Sequence, residues 1–136
     1  MTKNTLARPL TAALLGAVLS VPALTASAFA DTKDYQFQLV QQEAKVGDAV
    51  LAVRLVDKRS GKPVTDAVVF AKRLDMAPDA MEEMATKVEQ VPSTEPGIYR
   101  FKAHLGMQGR WRLSLAAKVQ GETGTVEDKL IIQAGK

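Results

Sequence analysis

The chain reads as an all-β protein, an immunoglobulin-like antiparallel β-sandwich of about seven strands. Three observations point there. Beyond residue 31 the hydrophobic period is mainly two rather than 3.6. Short apolar runs recur at regular spacing, separated by Gly- and Pro-bearing turns. A late run places Trp111, Leu113, Leu115 and Ala117 on one face, which suits a core closed between two sheets.

The elements follow in order. "DYQFQLVQQ" alternates Tyr35, Phe37 and Leu39 with glutamines, as a half-buried strand does. "AVLAVRLVD" (49–57) and "VTDAVVFAKRL" (64–74) are Val- and Leu-rich strands, joined through "KRSGKP", where Gly61 is free to take positive φ. "TKVEQVP" (86–92) is a short strand stopped by Pro92, and "STEPG" turns the chain. "IYRFKAHL" (98–105) sets Tyr99, Phe101, Ala103 and Leu105 against Ile98, Arg100, Lys102 and His104. "GMQG" is a tight connection to "RWRLSLAAKV" (110–119), and "QGETG" leads into "TVEDKLIIQA".

One stretch breaks the pattern: "LDMAPDAMEEMATKVEQVP", residues 74–92. Asp79 and Glu82 have capping-box spacing just after Pro78, which predicts a short helical turn over 80–86. Such a turn sets Met81 and Met84 on one face, with Met76 entering from the preceding strand.

The first 30 residues form a separate unit. Lys3 and Arg8 precede a long apolar run, and Ala28-Phe29-Ala30 supplies a small-x-small cleavage pattern. This predicts a secretory signal peptide over 1–30, a mature domain over 31–136 and a periplasmic location, with no membrane span after cleavage. The leader carries two bases and no acid, so its removal takes the formal charge from +3 to +1. The remaining charges are interspersed, which excludes the clustered basic face that nucleic acid requires.

The chain has no cysteine and one histidine. Nucleophilic catalysis therefore lacks a thiol, and His104 has no identifiable Ser or Asp partner in sequence, so an enzyme is not expected. A soft-metal site in such a chain must draw on thioethers, imidazole or an aromatic face. Met76, Met81 and Met84 fall within nine residues, and Met107 sits in the tight turn between His104 and Trp111. The expected metal ligands are thus Met76, Met81, Met84, Met107 and His104, for Cu(I) or Ag(I). The competing reading is that the methionines fill core gaps or form an adaptable contact surface without metal.

"AVVFAKRLDMAPDAM", "PGIYRF" and above all "LGMQGRWRLSLAAKVQGE" resemble the YtkA-like domain, related to the periplasmic part of FixH-type proteins. The resemblance spans nearly the whole mature domain. It implies an immunoglobulin-like sandwich outside the cytoplasmic membrane and an association with copper handling. The implied partners are a periplasmic efflux adaptor or copper-containing oxidase assembly proteins. Met76, Met81 and Met84 match the family's Met-bearing loop, and Met107 matches the methionine before the Gly-x-Trp strand. No histidine lies between residues 74 and 92, which favours monovalent copper or silver over Cu(II). Two functions stay open: a soft-metal binding or delivery module, or a metal-independent adaptor contacting a membrane complex.

Overall fold

The computed structural model describes residues 32–136; the expected signal peptide lies outside them. After a single 3-10 turn at Thr32–Asp34, nine strands follow. They are β1 (Tyr35–Leu39), β2 (Glu43–Lys45), β3 (Gly47–Asp57), β4 (Ala67–Met76), β5 (Met81–Thr86), β6 (Val88–Val91), β7 (Ile98–Leu105), β8 (Gly109–Val119) and β9 (Val126–Gly135). One sheet has the order β1-β3-β7-β6 and the other β2-β9-β8-β4-β5. Every pairing is antiparallel except β2 with β9.

The alternation read from the sequence carries directly into the core. Tyr99, Phe101, Ala103 and Leu105 of β7 face Trp111, Leu113, Leu115 and Ala117 of β8, with Phe37, Val53, Leu55 and Ile132 completing the interior. Each fully buried Leu or Phe contributes about 1.5–3 kcal/mol, so this layer is the main source of stability in a domain without disulfides. Polar bonds join the layers at their margins. The Phe37 amide donates to Asp128 Oδ2 across the sandwich (2.8 Å). The Tyr99 hydroxyl donates to the Val64 carbonyl (2.8 Å) and accepts from the Ala67 amide (3.2 Å), pinning the segment ahead of β4.

Two strands exceed the seven expected. β2 is three residues long and becomes a strand only because it lies parallel to β9, with Glu43 opposite Gln133. β5 replaces the expected helical turn over 80–86. The only helical turn in the Met-bearing segment is a 3-10 turn at Ala77–Asp79, closed by Ala80 in the left-handed region (φ 61°). The sequence "MEEMAT" favours helix on propensity alone, yet tertiary bonds override it. Met81 pairs with Met76, the Arg73 guanidinium donates to the Glu82 carbonyl (3.1 Å), and Asp79 is drawn away from any capping role.

Candidate functional site

The β4–β5 hairpin and the β7–β8 connection meet at one end of the second sheet. Their contact is built by the alternation in "GRWR". Gly109 takes φ +140°, and a Cβ there would lie 2.5 Å from the Met76 methyl and 2.6 Å from Asp79 Oδ2. Only glycine lets the hairpin come this close. Arg110 then grips the hairpin tip: its backbone amide donates to Asp79 Oδ2 (2.7 Å), its Nε to Asp79 Oδ1 (2.8 Å) and its Nη2 to the Pro78 carbonyl (2.7 Å). Trp111 points into the core, and its indole N–H donates to the Met107 carbonyl (3.2 Å), which holds the connection against β8.

Arg112 makes a second grip on the same outer face. Its register partner across β4 is Asp75, the one fully buried charged side chain among the described residues. Asp75 Oδ2 accepts from Arg73 Nε (2.7 Å) and Arg112 Nη2 (3.2 Å), while Oδ1 accepts from the Ala77 amide (3.0 Å). Burial works to raise the Asp75 carboxyl pKa, but the Ala77 amide and the two guanidinium groups outweigh it and hold it below the ordinary value. The Asp79 pKa is likewise lowered, first by the Arg110 amide and then by the Arg110 side chain. Both aspartates are thus structural counter-ions of arginines on β8. The cues in the sequence were Arg110 and Arg112 two apart, flanking an inward tryptophan, and Asp75 two residues beyond Arg73.

The five residues expected to bind metal divide by location. Met76 is fully buried (0 % exposed), its methyl against Gly109. Met81 stands directly opposite Met76 in the β4–β5 pairing and packs partly against the core. Met107 is 37 % exposed and lies two residues before Gly109, within about 7 Å of chain. These three lie on the two segments that meet at Gly109. Met84 does not join them through the pairing. The register slips between Asp75–Ala85 and Met76–Met81, so residues 82–84 have no partner on β4, and Met84 is 41 % exposed on that bulge. His104 faces outward on the other sheet, with Nδ1 3.0 Å from Asp48 Oδ1. No cluster of three or more His, Asp or Glu side chains able to hold a metal occurs among the described residues.

The sequence model of the YtkA-like family matches residues 29–116, from ahead of β1 to within β8. The chain belongs to the YtkA-like family. No curated protein matches it. Among solved structures it is similar to the filamin domain of Lin-41, at 18% identity over 78% of this chain and 96% of that one, with a TM-score of 0.48. It is also similar to the C-terminal domain of ZirS, at 14% identity over 93% and 86%, with a TM-score of 0.45. The YtkA-like match includes the Met-bearing hairpin, the "GMQG" connection and both arginine grips, which are the parts that build the rim.

Proposed function

We propose that this YtkA-like domain is a secreted, periplasmic module that binds Cu(I) or Ag(I) through thioethers at the hairpin rim. Cargo of this kind would pass to a periplasmic efflux adaptor or to proteins assembling a copper-containing oxidase. The observation that carries the reading is the meeting of Met76 and Met81 at paired positions, with the Met107 connection closed on Met76 through Gly109. Soft monovalent ions accept two or three such donors, and thioethers stay neutral at any pH, so loading would release no protons. Half-buried Met81 and exposed Met107 would supply the reachable sulfurs, and fully buried Met76 would complete the set from within. Met84 and His104 fall outside this donor set.

Native mass spectrometry with Ag(I), Cu(I), Cu(II) and Zn(II) tests the proposal. One monovalent ion per chain is expected, with affinity falling at least about tenfold in Met81→Leu/Met107→Leu. Leucine keeps the volume, so the fold should survive. Met84→Leu should bind like the parent. Unchanged affinity in the triple Leu variant of Met76, Met81 and Met107 would remove the proposal.

A further inference from the structure

A second feature of the fold lies on the other sheet. β1 covers only the later half of β3: its last residue, Leu39, stands opposite Val53. The Val40 amide still donates to the Ala52 carbonyl (3.0 Å), and the chain then leaves to form β2 against β9. Residues 47–51 of β3 are paired with β7 on one side, from Gly47 opposite Leu105 to Leu51 opposite Phe101. On the other side no strand pairs with them among the described residues. The Ala52 carbonyl faces the β1 side, so strand periodicity turns the backbone groups of Val50 and Asp48 to the same open side.

A cleft of about 450 Å³ lies along this half-edge. Val40 and Val50, both exposed, stand on its walls, and Val50 is 56 % exposed. At its far end are Arg54 and Arg100, flanking Ala52. Arg100 is paired with Glu95, whereas Arg54 has no ion-pair partner among the described residues. Glu43 and Lys45, of opposite sign, lie at the other end.

We propose that this half-edge docks an extended segment of a partner protein by strand addition. Its backbone would bond Asp48 and Val50, its apolar side chains would cover Val40 and Val50, and its carboxylate would meet Arg54. An open edge supplies main-chain affinity, and the alternate side chains supply selectivity. The unpaired guanidinium at one end selects the acidic occupant, because a carboxylate is its natural bidentate counterpart. This interface is independent of whether the methionine rim binds metal.

The test uses synthetic peptides that alternate valine and threonine, blocked at both ends except where a free carboxylate is stated, and long enough to span the roughly 16 Å edge. One ends in glutamate, one in glutamine, and a third carries only a free terminal carboxylate, which separates side-chain from chain-end recognition. The amide resonances of Asp48 and Val50 should shift on titration and gain exchange protection with a carboxylate-bearing peptide. Arg54→Gln should weaken binding about tenfold, as expected for one charge-assisted pair. Val50→Lys should abolish it with the circular dichroism spectrum unchanged. Three results would each overturn the proposal: no site-specific shift on β3, equal binding of the glutamate and glutamine peptides, or equal binding by Arg54→Gln. Concentration-dependent self-association abolished by Val50→Lys would also overturn it, by assigning the edge to a second copy of the chain.

Discussion

Replacing Gly109 by alanine should destabilise the whole domain, because one methyl group meets two constraints at once. The backbone sits at φ +140°, where an L side chain adds strain of about 1–3 kcal/mol. The new Cβ also falls 2.5 Å from the Met76 methyl and 2.6 Å from Asp79 Oδ2. Met76 is fully enclosed and has little room to retreat, so overpacking adds about 1–3 kcal/mol. A total near 4 kcal/mol lowers the melting temperature of a domain this size by about 15 °C or more. Thermal unfolding followed by far-ultraviolet circular dichroism measures it. Gly106→Ala is the matched control three residues away: its Cβ would have nothing within 4 Å, and surface changes of that kind stay within about 0.5 kcal/mol. If Gly109→Ala melts within about 2 °C of the parent, the close approach of the hairpin to β8 is not what requires glycine.

Asp75→Asn keeps the shape of the side chain but removes the charge that Arg73 and Arg112 share. Urea unfolding should show a loss of about 2 kcal/mol, since part of each guanidinium can turn to water; Glu83→Gln on the exposed bulge should show none. The pH dependence follows from the lowered Asp75 and Asp79 carboxyls. Their contribution is fully present above the unfolded-chain value near pH 4 and is lost as pH falls through the folded-state values. Stability should therefore drop on acidification below about pH 4, and the drop should be shallower in an Asp75→Asn/Asp79→Asn double variant. A double variant with the parent's acid profile would show that other carboxyls dominate.

Much of the sandwich was legible because its strands carry the period-two signal themselves. β7 and β8 appear in the sequence nearly residue for residue, with Tyr99, Phe101, Trp111 and Leu113 inward as their alternation predicts. The turns at Gly61 and Gly121 were legible for a similar local reason, since both take positive φ. β5 was not, because "MEEMAT" has helical propensity and becomes a strand only through its pairing with β4, at Leu74–Thr86, Asp75–Ala85 and Met76–Met81, and the bond from Arg73. For the candidate site, the sequence grouped Met76, Met81, Met84 and Met107 at one end of the sandwich. It did not separate Met84, whose position depends on a register slip with no local signature.

From local pattern alone, the chain determines its class: a cysteine-free, all-β domain whose inward residues are set by side-chain alternation. Tertiary structure decided which distant groups meet. Asp79 looks in sequence like a helix cap, but across 31 residues it becomes the counter-ion of Arg110, as Asp75 does of Arg112 across 37. The open half of β3 exists only because β1 leaves its sheet at Leu39 for a strand that pairs with β9. Such contacts join residues far apart in the chain, and the energy that selects them arises only when the two sheets close around their common core.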